Sequence, residues 1–149
     1  MRWQSVRTIQ ASAPAVFRLI ADPVEFQRAI GADPNVEFLS ERHNGVGTRF
    51  RASRVNKGKA MSFEHEVTEY VPGQLVRMKN ITHGVLWDSS LTVRPSGSAS
   101  VLTLAMEAHT QKPFQRLLMR FIARTVQRAL DKDLSAIAAY AEQPRNNDA

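Results

Sequence analysis

Apolar and polar positions change their period along the chain, and each change marks an element. Residues 2–10 alternate as a strand does. They run into ASAPAVFRLI, where Val16, Phe17 and Ile20 fall at helical spacing behind Ser12 as N-cap and Pro14 in the first turn. Asp22-Pro23 ends that helix. A second short helix is expected from about Val24 to Ile30, closed by the Gly31 to Pro34 loop.

From Val36 to Thr110 the period is two. Turn signals cut it at Asn44-Gly45, Lys57-Gly58, Pro72-Gly73, His83-Gly84 and Pro95-Ser96-Gly97, which predicts consecutive antiparallel strands. Pro113 then opens a long amphipathic helix, with Phe114, Leu117, Leu118, Phe121, Ile122, Val126, Ala129, Leu130, Leu134 and Ile137 expected on one side. Residues 1–142 are expected to form one domain, and 143–149 a polar tail.

If each turn closes a hairpin, paired residues share a sheet face and the strands can be aligned on paper. Around His83-Gly84, Asn80 falls opposite Trp87, Met78 opposite Ser89 and Val76 opposite Leu91, with Lys79 and Asp88 together on the other face. Around Pro72-Gly73, Val67 meets Met78 and His65 meets Asn80. Around Pro95 to Ser98, Trp87 meets Met106, Ser89 meets Leu104 and Leu91 meets Leu102. Around Lys57-Gly58, Phe50 meets His65 and Ala52 meets Phe63. The apolar faces agree in every hairpin, and they yield one inner row: Phe50, His65, Asn80, Trp87, Met106. Glu64 and Glu66, which flank His65, are thereby assigned to the outer surface.

Composition is that of an ordinary globular protein, with 43% hydrophobic and 23% charged residues. The absence of cysteine removes disulfides, thiolate nucleophiles and Cys-ligated zinc. MRWQSVRTIQ lacks the apolar core of a signal peptide and no apolar run reaches bilayer length, so a cytoplasmic location is expected. A net charge of +6 favours anionic partners such as an acidic membrane surface. No recognition motif or aromatic-basic interleaving argues for nucleic acid. HEVTE lacks the second histidine of a zinc-protease helix, and the other histidines sit at turns or strand ends, so no metal is expected. Gly45-Val46-Gly47 leads into a strand, which excludes a dinucleotide loop, and no GxSxG occurs. No cofactor is expected.

The order strand, two short helices, strand meander, long helix resembles the helix-grip fold of the START-like or SRPBCC superfamily, which includes polyketide cyclase/dehydrase-type proteins. The marks are IQASAPAVFRLIADP at the first strand-helix junction, GVGTRF opening a strand, VTEYVPGQL across a hairpin, and the terminal helix with spaced Phe and Leu. The resemblance implies an α+β fold in which a curved antiparallel sheet of about seven strands wraps the C-terminal helix around an elongated cavity. It implies ligands such as lipids, sterols or aromatic polyketides, and in some members cyclisation or dehydration. It transfers no catalytic residue.

On that frame the candidate ligand-binding residues are Phe50, Phe63, His65, Met78, Asn80, Trp87, Ser89, Met106 and Phe121. His65 and Asn80 would hold a ligand oxygen, or simply satisfy each other in the core. The aromatic and methionine side chains would form the apolar wall. Three functions remain open. One is binding of a small hydrophobic molecule with a polar end. Another is a cyclase or dehydratase with His65 as general acid/base and Asn80 or Ser89 orienting a carbonyl. The last is a basic module for membrane, ribosome or protein, using the stripe Arg116, Arg120, Arg124, Arg128 and Lys132, whose bland alternative is snorkelling cations beside Asp131 and Asp133. Oligomeric state is not encoded in any visible pattern.

Overall fold

The computed structural model describes residues 1–56 and 58–144. Lys57 of the expected Lys57-Gly58 turn and residues 145–149 of the expected tail lie outside the described residues. Strand β1 (Arg2–Ile9) leads into α1 (Ala13–Ala21) and α2 (Pro23–Ala29). The meander follows: β2 (Glu37–Phe38), β3 (Arg49–Asn56), β4 (Lys59–Val71), β5 (Leu75–Thr82), β6 (Val85–Ser96) and β7 (Ala99–His109). Helix α3 (Pro113–Ala141) ends the fold. The strands form one antiparallel seven-stranded sheet in the order β1-β7-β6-β5-β4-β3-β2, the α+β helix-grip arrangement.

Local chemistry sets the helix starts. Ser12 accepts from the Ala15 N–H, and the Asp22 carboxylate accepts from the N–H groups of Val24 and Glu25, so one aspartate ends α1 and caps α2. The hairpin at His83-Gly84 has Thr82 opposite Val85 and positive φ at both turn residues, the geometry that matches strand twist. The core lies between the sheet and the helices, with Ile9, Val16, Ile20, Leu102, Leu134 and Ile137 almost wholly removed from water.

The paper alignment agrees with the structure for β3 to β6. Phe50 pairs with His65, Val67 with Met78, Asn80 with Trp87 and Met78 with Ser89. The β4-β5 agreement conceals two departures that cancel. Val71 pairs with Leu75, so the turn is one residue longer than Pro72-Gly73 alone, and a bulge between Val67 and Glu69 restores the register.

The β6-β7 pairing differs. Trp87 lies opposite Ala108, Ser89 opposite Met106 and Leu91 opposite Leu104, a slip of two residues that keeps each face correct. The turn is Gly97-Ser98, with Ser96 paired to Ala99, and Pro95 belongs to the strand. Pro95 is tolerated there because β5 pairing with β6 stops at Thr92 and the Val93 amide, leaving no donor for Pro95 to supply on that side.

The front of α3 also departs from expectation. Phe114, Leu117, Leu118 and Phe121 are exposed, and Met119 takes the buried position instead. The expected stripe drifts because residues spaced to cover one side over two turns of an ideal helix have rotated away from the sheet by the time Leu130, Leu134 and Ile137 are buried.

Candidate functional site

Helix α3 lies chiefly along β1, at one edge of the sheet. The Trp3 indole N–H donates to the Ala123 carbonyl at 3.1 Å, the Ser5 hydroxyl to Asp131 at 2.7 Å, Arg7 to Ser135 at 3.2 Å, and the Gln127 amide to the Gln4 carbonyl at 3.0 Å. That edge docking leaves the inner face of β4 to β7 only partly covered. Phe63, His65, Met78, Asn80, Trp87, Ser89 and Met106 are all half-buried, while Phe50 is buried at the rear of the row. The band therefore combines apolar wall with reachable polar groups.

The structure brings His65 and Asn80 together. The Thr82 hydroxyl donates to the Asn80 carbonyl oxygen at 3.0 Å, which turns the Asn80 amide nitrogen toward His65 Nδ1 at 3.4 Å. His65 stacks on Phe50 with centroids 5.1 Å apart and lies 6.4 Å from Phe63. Burial pushes its pKa down to about 4, with the Arg54 charge acting in the same direction. At neutral pH the ring is uncharged. Nδ1 accepts from Asn80, so the proton sits on Nε2. Nε2 has no partner among the described residues and is not a sealed, unsatisfied atom, so it remains an available donor.

Trp87 stacks on Trp3 at 5.9 Å, and Trp3 pairs in register with Met106. The row is therefore Phe50, His65, Asn80, Trp87, Ala108, with Met106 displaced beside Trp3 and Ser89. Phe121 stands apart from it, 77% exposed on the outward side of α3. Glu64 faces outward as expected and pairs with Arg51 at 2.6 Å.

Arg54 was not among the expected site residues. It shares the inner face with Phe50 and Ala52, and its guanidinium reaches Asp133 of α3 at 2.7 Å, a strut from β3 to the helix. Alternation from Ala52 would have placed Arg54 inward. Asp133 is thereby taken by the sheet, and Asp131 by Ser5 and Gln127. Trp3 was also missed, because no hairpin joins β1 to β7 and the sequence offers no turn from which to count.

Two concavities open elsewhere. One of about 670 Å3 lies among α1, α2, Phe38, His43 and Tyr70. Its acidic groups are committed, Asp22 to capping α2 and Glu25 to Arg28 at 2.6 Å. The other, of about 1080 Å3, lies beside the start of α3 and is lined in part by Ile81, Leu86 and Met119. Neither is lined by His65, Asn80 or Trp87. No cluster of metal-ligating side chains occurs among the described residues.

The sequence matches the polyketide cyclase / dehydrase and lipid transport family over residues 2–142. The chain belongs to that family. No curated protein matches it significantly. Among solved structures it is similar to TTHA0849 from Thermus thermophilus, with TM-score 0.75 and 19% identity over 96% of this chain and 100% of that one. It is similar to the ginseng major latex-like protein 151 from Panax ginseng, TM-score 0.72 and 13% identity, covering 96% and 98%. It is also similar to the Zhui aromatase/cyclase from a Streptomyces species, TM-score 0.72 and 16% identity, covering 95% and 93%. At these identities the likeness is one of fold. No helix among the described residues is long and apolar enough to cross a membrane.

Proposed function

We propose that this protein binds a small hydrophobic molecule with one oxygen-bearing end, held between the inner sheet face and α3. The observation that carries the reading is the available Nε2–H of a neutral His65, fixed by Asn80 on an otherwise apolar wall. A single oriented donor among Phe63, Met78, Trp87 and Met106 suits a carbonyl, hydroxyl or carboxylate oxygen at the end of an apolar body. Membership of a family described by cyclisation, dehydration and lipid transport supports the same ligand class.

The enzymatic alternative, His65 as general acid/base, fits less well. An imidazole held near pKa 4 is not imidazolium at neutral pH, so it lacks an acidic second proton to give and is a weak base, whereas efficient proton transfer needs a pKa near the working pH. The neutral ring serves as a hydrogen-bond donor instead.

A fluorescent fatty-acid displacement assay tests the reading, paired with native mass spectrometry of protein purified from cells. Displaceable binding is expected. His65→Phe and Asn80→Leu should each weaken it about tenfold, the worth of one well-placed hydrogen bond. Absence of any co-purified or displaceable apolar molecule would reject the assignment.

A further inference from the structure

The front of α3 carries a surface that the cleft does not use. Each residue of a helix advances about 100°, so Phe114, Leu117, Leu118 and Phe121 fall within an arc of about 100°. That arc is opposite the face on which Met119 and Leu130 are buried. Phe114 and Phe121 are 76% and 77% exposed, more than any core function would leave them.

The charge around this patch is of one sign. No Asp or Glu occurs between Glu107 and Asp131, while Lys112, Arg116, Arg120, Arg124 and Arg128 do. Arg120, Arg124, Arg128 and Lys132 are exposed and have no ion-pair partner among the described residues, because Asp131 and Asp133 are held by Ser5 and Arg54. On the sheet some surface cations do find carboxylates: Arg51 has Glu37 and Glu64, and Arg77 has Asp88. The helix that exposes its apolar side chains thus also carries a run of cations with no acid between them. At the same end Met1 and Ile81, 52% and 73% exposed, border the second concavity together with Lys112, Arg116 and Arg120.

We infer that the outward face of α3 from Phe114 to Arg128 docks on an anionic lipid surface. Phenylalanine and leucine enter the headgroup boundary, and the flanking arginines meet lipid phosphates. Charge complementarity decides the occupant. A second copy on this face would bring two rows of unpaired arginine together with no acid between them. An acidic peptide would satisfy the arginines yet give the outward phenylalanines no apolar groove. An anionic bilayer supplies both phases at once. This surface lies outside the cleft, so it stands or falls apart from the ligand reading.

Vesicle flotation is the test, using phosphatidylcholine alone and phosphatidylcholine with phosphatidylglycerol. Binding to the anionic vesicles only is expected, with loss at high salt. Phe114→Ser/Phe121→Ser should reduce it about tenfold, and Arg120→Gln/Arg124→Gln by a comparable factor. Both double variants change exposed side chains, and an unchanged far-UV circular dichroism spectrum and melting temperature verify that they fold. Equal binding to neutral vesicles, full retention by the phenylalanine variant, or no flotation would overturn the inference. So would self-association in sedimentation velocity that the phenylalanine variant abolishes without any vesicle affinity, or capture by polyglutamate that ignores the phenylalanines.

Discussion

His65 shows how a residue's chemistry follows from its neighbours. Between two glutamates in sequence it would be expected to hold a proton more tightly, but the strand turns both away and leaves it with Phe50, Asn80 and the Arg54 charge. Its pKa falls from 6.5 to about 4. The unfolded chain therefore binds a proton that the folded state refuses, and stability must decline as pH drops from 6.5 toward 4. The loss approaches about 3 kcal/mol, less whatever water reaching Nε2 recovers. Asp88 acts in the same sense at lower pH: its hydrogen bonds with Arg77 depress its pKa, and that contribution vanishes as the carboxylate protonates. Urea unfolding from pH 4 to 7 should show His65→Phe flattening the upper part of this profile. A profile identical to that of the unsubstituted protein would refute the burial argument.

At the scale of elements, the strut between β3 and α3 and the β5-β6 turn invite separate tests. Asp133 is well covered and Arg54 only partly so, hence removing the acid alone leaves a cation that water still reaches in part. Asp133→Leu should cost about 1 kcal/mol, whereas Arg54→Leu/Asp133→Leu should recover most of that. Thermal unfolding of Arg54→Leu, Asp133→Leu and the double variant measures the coupling, and simple additivity would exclude the strut. His83 is the one described non-glycine residue with positive φ, at 53°. Asparagine tolerates that conformation better, so His83→Asn should stabilise the hairpin by about 0.5 kcal/mol while keeping the carbonyl that accepts from Gln115. A lower melting temperature would contradict this.

For the whole molecule, the helix-grip arrangement leaves a wall partly open because α3 is fastened to β1 at the sheet edge. Ligand bound there should stabilise the fold by mass action, about 2.7 kcal/mol at a hundredfold excess over Kd. It should also register optically, since the chain's two tryptophans stack on each other and one of them, Trp87, belongs to the wall. A fatty-acid titration is expected to change tryptophan emission and raise the melting temperature together, with Trp87→Phe suppressing the emission change. A thermal shift with unaltered emission would move the binding site elsewhere, the concavity beside α1 and α2 being the next place to look.

Much of this architecture was already written in the chain. Period-two alternation and turn residues placed β3 with β4 and β5 with β6 in register, because a one-residue slip would expose an entire apolar face; β4 met β5 as counted only up to Val67, where a bulge offsets the longer turn. They put His65 beside Asn80 and sent Glu64 outward. Where a local signal admitted two geometries, counting was insufficient: Pro95 could sit in the turn or the strand, and only the end of β5 pairing decided for the strand. The chain alone could not align β1 with β7, so the Trp3-Trp87 stack emerged only on folding. It could not say that Arg54 would claim Asp133, nor that the first turns of α3 would overhang the sheet and leave Phe114 and Phe121 in water. Periodicity fixes which residues share a face of one element. What that face meets depends on where distant elements pack, and that is settled by tertiary structure.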